Sequence, residues 1–161
     1  TWHCAEVVLD RSLGYGTYTF QLDSRVDSLN YNVIFAGFIY EGLNAEFDFE
    51  FSQILANPFN AQYVVQPWYL PGNITFFDQP ADIQTSHSFE WRADRVVFTS
   101  WRGHSATATP ETMINTWTYT GGDIPIPNEE RMRFNLYLFN GDPPTGGTMD
   151  EVIISSFSYS N

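Results

Sequence analysis

The chain has 161 residues, of which 43% are hydrophobic and only 16% are charged, so it can bury the core of one folded domain. Its formal net charge is −12, and all seven of its cations are arginines. Because nucleic acids and anionic membranes are bound through basic patches, this balance argues against both as partners and is compatible with a neutral polymer. No apolar stretch approaches the roughly 18 residues of a membrane-spanning helix.

The N-terminal segment reads as a strand from its first residues and contains the single cysteine, Cys4. One cysteine excludes an internal disulfide framework and a zinc motif, so Cys4 is predicted to be a small buried side chain or to pair outside this segment. A chain that opens in mid-strand is expected to lack an upstream element of its sheet. Thr1 opens directly on strand-like sequence with no signal-peptide pattern, as expected of a mature secreted protein or a cytosolic one, and we expect a secreted, extracellular protein.

Strand-like segments separated by turns occupy most of the remaining chain. Tyr18, Phe20 and Leu22 alternate with polar residues, which is typical of a half-buried strand. Further strand-like segments follow at residues 31–41, 45–51, 60–70, 87–103, 131–141 and 150–160. Strands at short, fairly regular spacing predict an all-β antiparallel sandwich or barrel that forms a single domain over residues 1–161. Only residues 109–117 are compatible with a short helical turn.

Three acids alternate with three phenylalanines in residues 46–51. Side chains two positions apart in a strand point to the same face, so Glu46, Asp48 and Glu50 share one face and the phenylalanines share the other. The phenylalanines must pack into a core, and the acids therefore face solvent or a cleft. Like charges are rarely placed side by side on a solvated strand, and no Lys or Arg lies within ten residues of them.

The spacing of the outer acids suits a glycosidase. Glu46 and Glu50 are about 13 Å apart along a strand, and side chains that lean inward bring their carboxyl groups within roughly 5–6 Å. Retaining glycosidases place two carboxyl groups about 5–5.5 Å apart. Asp48 lies between them, where it can hydrogen-bond to one Glu and change its pKa. A solvated acidic strand and a Ca²⁺ site are the alternatives; calcium is disfavoured because carboxylates spread along a strand do not converge.

The sequence resembles glycoside hydrolase family 16, and most of all its licheninase (β-1,3-1,4-glucanase) branch. Residues 46–51, Glu-Phe-Asp-Phe-Glu-Phe, match the Glu-x-Asp-x-Glu signature followed by Phe. The segments 4–22, 87–98, 131–141 and 150–160 match other parts of the family in the same order. The resemblance implies a concanavalin A-like β-sandwich (jelly roll) whose concave sheet carries a sugar cleft, with no cofactor and no metal.

The resemblance also implies roles for individual residues. Glu46 would be the nucleophile, Glu50 the acid/base and Asp48 the assisting carboxylate. The predicted substrate-binding residues are Glu6, Gln62, Gln66, Asn135 and Tyr137. Each has an ordinary structural alternative: an exposed strand acid for Glu6, solvent-facing amides for the glutamines, a loop contact for Asn135 and a core position for Tyr137.

Four tryptophans have predicted roles in stacking or packing. Trp68, Trp101 and Trp117 are candidates for stacking on a sugar, and Trp91 is assigned to the core. The three histidines have no partner at a suggestive spacing and are given no catalytic role.

The sequence departs from the family pattern near the predicted cleft. Val8 stands where the family has a sugar-binding Arg, and Asn44 stands where it has a Trp. Val64 and Gln66 stand where the family has an Asn and a Tyr in the cleft. Three hypotheses about function therefore stay open. The first is a retaining endo-glycosidase that hydrolyses or transglycosylates a β-linked polysaccharide such as a β-1,3/1,4-glucan. The second is a carbohydrate-binding domain without turnover, and the third is a structural or assembly protein. The expected partners are a polysaccharide or oligosaccharide and an upstream segment or second chain that completes the sheet.

Overall fold

Strands account for most of the regular structure. The computed structural model of the chain describes residues 1–42, 45–54 and 58–161. The strands are β1 (Ala5–Val8), β2 (Gly16–Asp23), β3 (Val33–Gly42), β4 (Ala45–Phe51), β5 (Ala61–Val65), β6 (Ile74–Phe77), β7 (Gln84–Trp91), β8 (Val96–Arg102), β9 (Met113–Tyr119), β10 (Arg131–Leu138) and β11 (Ile154–Ser160). Helical structure in these ranges is limited to two 3₁₀ turns, Phe139–Gly141 and Thr145–Gly147. No helix in the described residues could therefore cross a membrane.

The strands form two antiparallel sheets that enclose one core. The six-stranded sheet has the order β1-β10-β3-β4-β5-β6, and the five-stranded sheet has the order β11-β2-β7-β8-β9. The predicted all-β antiparallel sandwich is therefore confirmed. At one edge of the six-stranded sheet, β1 pairs with β10 and is exposed along its whole length.

The core is built from aromatic side chains of both sheets. Phe47, Phe49 and Phe51 are fully buried, as the strand period predicts. The Phe49 ring packs edge-on against Phe20 at 5.4 Å between ring centroids and stacks on Phe89 at 5.2 Å. Burial of such rings supplies most of the hydrophobic driving force for closing the two sheets.

One glycine permits this close packing. Gly37 of β3 pairs with Phe49 of β4. A Cβ atom at Gly37 would lie 3.0 Å from the Phe20 ring and 3.2 Å from the Phe134 ring, which is tighter than ordinary van der Waals contact. The missing side chain therefore lets two rings approach the middle of the six-stranded sheet.

The position of β4 within its sheet decides what surrounds the acids. On one side β3 places Tyr40 opposite Glu46 and Ala36 opposite Glu50. On the other side β5 places Gln62 opposite Glu50. Because directly paired residues project to the same face, these side chains share the outer face of the six-stranded sheet with the acids.

Several local predictions were wrong or incomplete. The strand-like segment 60–70 ends at Val65, and β6 and β9 were not predicted. The predicted helical turn is a single turn in which the Met113 amide donates to the Thr109 carbonyl (2.9 Å), and β9 begins immediately after it. Cys4 is exposed because it lies just before the edge strand β1, so the prediction of a small buried side chain is wrong, and pairing outside this segment stays a prediction.

Candidate active site

The three acids of β4 are held in an environment that disfavours their charged forms. Asp48 is only 3% exposed, and Glu46 and Glu50 are half-buried. Burial removes a carboxylate from water and raises its pKa. Burial is accordingly the main cause of a raised pKa at Glu46 and Glu50, and at Asp48 it holds the pKa well above the usual range.

The middle acid, Asp48, has the most strongly raised pKa of the three. After burial, the negative charges of Glu46 and Glu50 are the next causes that raise the pKa of Asp48. A hydrogen bond between Asp48 and Glu46 raises the pKa of Asp48 further and lowers that of Glu46. These causes favour the protonated form of Asp48, whose hydroxyl is then a donor toward the Glu46 carboxylate.

Glu50 has a different supporting partner. Gln62, directly across from it on β5, donates a hydrogen bond from its Nε2 to Glu50 Oε2. This bond lowers the pKa of Glu50, whereas burial and the nearby charge of Glu46 raise it, and the net direction is upward. Each outer Glu is thus bonded to a separate polar group, so their environments differ as paired catalytic carboxyls require.

Two more predicted residues lie beside the acids. The Gln66 backbone amide donates to the Glu46 carbonyl (3.0 Å), and Gln66 Nε2 donates to Asp48 Oδ2 (3.3 Å). The pKa of the Tyr137 hydroxyl is raised by burial and then by the charges of Glu50, Asp48 and Glu46. Tyr137 therefore stays protonated, and its hydroxyl is available as a donor.

A cavity of about 680 Å³ opens on this face of the sheet. Glu50, Gln62, Gln66 and Tyr137 line it, and it continues to the segment around Trp68. Of the three acids only Glu50 lines this cavity; Glu46 lies beside Tyr40 across the strand pair. The cavity has the size of a small-molecule site and contains convergent polar groups in an apolar lining.

Asn135 and Glu6 lie farther from the acids than the other predicted residues. Asn135 pairs with Ala36, which pairs with Glu50, so two strand spacings of about 4.8 Å separate Asn135 from Glu50. The Asn135 Oδ1 atom is buried without a hydrogen-bond partner. Glu6 is one strand farther, on β1, and forms an ion pair with Arg133 at 2.8 Å.

Arg133 is a feature of the site that the sequence analysis missed. Its guanidinium lies 5.2 Å from the centre of the Tyr40 ring, which pairs with Glu46 across β3 and β4. Its positive charge lowers the pKa of Glu46. The signal in the sequence is the period of two along β10, because Arg133 alternates with Asn135 and Tyr137 on one face.

Other sequence predictions concern residues away from the acids. Trp101 and Trp117 lie in the five-stranded sheet, on the other side of the core from the cavity. Trp101 is buried, and Trp117 stacks on Phe98. The prediction that they stack on a sugar in this cavity is therefore wrong for both. Trp91 is fully buried as predicted. His87 is also buried, and its pKa is lowered to about 3 by that burial. Asn44 lies outside the described residues.

Val8 and Val64, the two valines at which the sequence departs from the family pattern, lie on the acid-bearing face. Val64 pairs with Asp48 and is buried, whereas Val8 pairs with Arg133 at the sheet edge. No group of three or more Asp, Glu, His or Cys side chains within the described ranges is placed to hold a metal ion.

Comparisons with known proteins identify the fold. A glycoside hydrolase family protein from Mycobacterium thermorestibile is 18% identical, with a TM-score of 0.63 over 96% of this chain and 67% of that one. A prokaryotic β-1,3-1,4-glucanase (lichenase) from a mouse hindgut metagenome is 15% identical, with a TM-score of 0.58 over 85% of this chain and 64% of that one. This chain is therefore similar in fold to jelly-roll β-sandwiches of the glucanase type.

The same comparisons limit what the fold implies. Scytalido-glutamic peptidase is 11% identical and has a TM-score of 0.53 over 98% of this chain and 74% of that one. One fold thus accommodates different chemistries, and the chemistry must be argued from the site. This chain spans less than two thirds of the length of the lichenase. No protein-family model and no curated protein matches the sequence.

Proposed function

We propose that this protein is a retaining glycosidase that cleaves a β-linked polysaccharide, with a β-1,3/1,4-glucan as the leading candidate. The observation that carries the proposal is the acid triplet, in which buried Asp48 lies between two glutamates that have separate partners and burial raises the pKa of Asp48 well above its usual range. The fold shared with a lichenase supports the choice of substrate class. The net charge of −12 favours an uncharged polymer.

The proposed reaction has two steps. Glu46 attacks the anomeric carbon while protonated Glu50 gives its proton to the leaving glycosidic oxygen, so the C–O bond breaks as a glycosyl ester forms. Ionised Glu50 then takes a proton from water, and the water oxygen displaces Glu46 from the sugar. An acceptor sugar hydroxyl in place of water gives transglycosylation instead.

The neighbouring residues have supporting roles in this proposal. Asp48 donates a hydrogen bond to Glu46 and so favours the carboxylate that attacks. Burial keeps the pKa of Glu50 above its ordinary value, which preserves the acid form for the first step. Gln62 and Tyr137 line the cavity where a substrate hydroxyl would meet them, and Glu6 and Asn135 would contact sugars farther along the sheet.

Incubation with a panel of β-glucans, xyloglucan and galactans tests the proposal. We expect the protein to release reducing ends from at least one of them, with the anomeric configuration retained in the first product. Casein is included as a protein substrate because a peptidase has a similar fold, so that peptidase activity would be detected. Release of peptides from casein together with no reducing ends from any polysaccharide would contradict the glycosidase proposal.

A carbohydrate-binding domain without turnover is the second candidate. The apolar Val64 beside Asp48, where an amide would offer a donor to the substrate, favours it. This candidate predicts that glycan binding persists when Glu46 is replaced and that the wild-type protein releases no sugar.

The pH dependence of the proposed reaction should respond to Arg133. Replacing Arg133 with Met removes the positive charge that lowers the pKa of Glu46. Because Glu46 must be ionised to attack, we expect the acidic limb of kcat/KM to move to higher pH. Arg133→Lys should leave that limb nearly in place because it keeps the charge.

Arg92→Met is the matched control, since Arg92 is half-exposed at the end of β7 and pairs with Glu90 instead. Identical acidic limbs for wild type and Arg133→Met would show that Arg133 does not act on the nucleophile.

A further inference from the structure

Two exposed aromatic rings follow β5 directly. Trp68 is 60% exposed and Tyr69 is 68% exposed, and their ring centroids are 6.1 Å apart in an edge-to-face arrangement. Single exposed aromatics are ordinary, but adjacent large rings form an apolar patch that usually has a binding role. We call Trp68 and Tyr69 the aromatic platform.

The segment that carries the aromatic platform is firmly anchored. The Val65 amide donates to the Asn73 carbonyl (2.8 Å), and the Leu70 amide donates to the Pro67 carbonyl (3.2 Å). Asn73 is buried, and its Nδ2 donates to the Pro67 carbonyl (3.2 Å) and to Asp123 Oδ2 (3.0 Å). A surface that is already ordered before a ligand arrives loses little conformational entropy on binding.

The aromatic platform is continuous with the acid-bearing site. Trp68 and Tyr69 line the same cavity as Glu50 and Gln62. The Trp68 backbone amide donates to Gln66 Oε1 (3.0 Å), and Gln66 Nε2 donates to Asp48. One side chain, that of Gln66, therefore fixes the platform segment relative to the acid triplet.

We propose that the aromatic platform is a sugar-binding subsite that stacks on the flat C–H face of a pyranose ring in a neutral β-linked glycan. Aromatic rings bind such faces because the C–H groups are apolar, whereas the ring hydroxyls stay in water at the rim. The ligand class rests on the proposed function of the acid triplet. The subsite itself rests on the exposure, the anchoring and the shared cavity.

The platform contacts a sugar away from the bond that is cleaved. It belongs to the connection between β5 and β6, and β6 is two strand spacings, or about 10 Å, from β4. A substrate reaches both places only if it extends beyond the reacting sugar. Loss of the platform should therefore affect long glycans strongly and short glycosides weakly.

Affinity electrophoresis in native gels that contain lichenan, laminarin, xyloglucan or agarose tests the subsite. The parent protein for this test is Glu46→Gln, in which turnover is blocked. We expect at least one polysaccharide to retard the parent, and Trp68→Ala in that background to weaken the apparent affinity about tenfold or more. Trp68→Tyr should recover most of the retardation because it keeps an aromatic face.

Tyr31→Ala is the matched control, since Tyr31 is 55% exposed on a different loop. Unchanged affinity after Trp68→Ala, or no retardation of the parent in any of the four gels, overturns the subsite. Retardation that depends on Trp68 in a protein without wild-type turnover keeps the subsite and rejects the glycosidase. Turnover of polysaccharide that does not depend on Trp68 keeps the glycosidase and rejects the subsite.

Discussion

Glu46→Gln and Glu50→Gln should each lower kcat on the preferred polysaccharide by at least about 10²–10⁴-fold, the usual contribution of a positioned acid or base. Glutamine keeps the shape and the hydrogen-bonding capacity of the side chain but can neither attack carbon nor deliver the proton. Because each substitution removes an ionisable group whose charged form is disfavoured by burial, the variants should fold at least as well as the wild type. Measured rates would then report chemistry and not unfolding.

Azide distinguishes the two roles. With an activated aryl β-glycoside, Glu46→Ala leaves space for azide to attack directly, so the product should be the α-glycosyl azide with inverted configuration. In Glu50→Ala the glycosyl ester still forms on Glu46, and azide should give the β-glycosyl azide with retained configuration. If Glu46→Ala gave the β-glycosyl azide and Glu50→Ala gave the α-glycosyl azide, Glu50 would be the nucleophile and Glu46 the acid/base.

Glu129→Gln is the control for these substitutions because Glu129 is an exposed acid away from β4. It should retain wild-type kcat. Full activity in Glu46→Gln or Glu50→Gln would remove the acid triplet from the reaction and with it the glycosidase proposal.

Asp48→Asn should make the fold more stable at neutral pH, by about 0.5–2 kcal/mol, the usual range for a stabilising substitution. The pKa of Asp48 is higher in the folded protein than its ordinary value of 3.8. Between these two pKa values the folded state binds more protons than the unfolded state, so the free energy of unfolding falls as pH rises. Asparagine has no proton to lose, so it removes this part of the pH dependence.

Urea denaturation from pH 3.8 up to neutrality measures the effect. The advantage of the variant should be small at the acidic end and should grow as pH rises. Asp94→Asn is the control, because the Asp94 side chain is 75% exposed. A constant difference between variant and wild type across this range would show that Asp48 is not protonated in the fold.

The activity of Asp48→Asn carries separate information. The asparagine amide can still donate a hydrogen bond to Glu46, so kcat should fall less than in Glu46→Gln. A stabilised but slower variant would indicate that the buried carboxyl group of Asp48 is kept between two half-buried glutamates for function, at a cost in stability.

The two faces of β4 and the all-β class were predictable from sequence, and the structure confirms both. The phenylalanines are buried, and the acids lie on the opposite face. The boundary of β5 and the existence of β9 were not predictable from local patterns. The strand-like segment continues through Trp68 to Leu70 in sequence, yet the chain leaves the sheet at Val65.

The choice of tryptophans shows the same limit. Trp68, Trp101 and Trp117 are equal candidates for stacking on a sugar when only the sequence is considered. Trp68 lies beside the cavity because it follows β5, whereas the other two belong to the five-stranded sheet. Local sequence does not say to which sheet a strand belongs.

Sequence alone determined that Glu46, Asp48 and Glu50 share a face, because the period of two in a strand follows from the backbone itself. Tertiary structure decided which side chains meet them. Gln62 reaches Glu50 and Arg133 acts on Glu46 because β5 and β10 are placed in the same sheet as β4. That placement depends on the pairing of strands far apart in the chain, which burial of the common aromatic core selects.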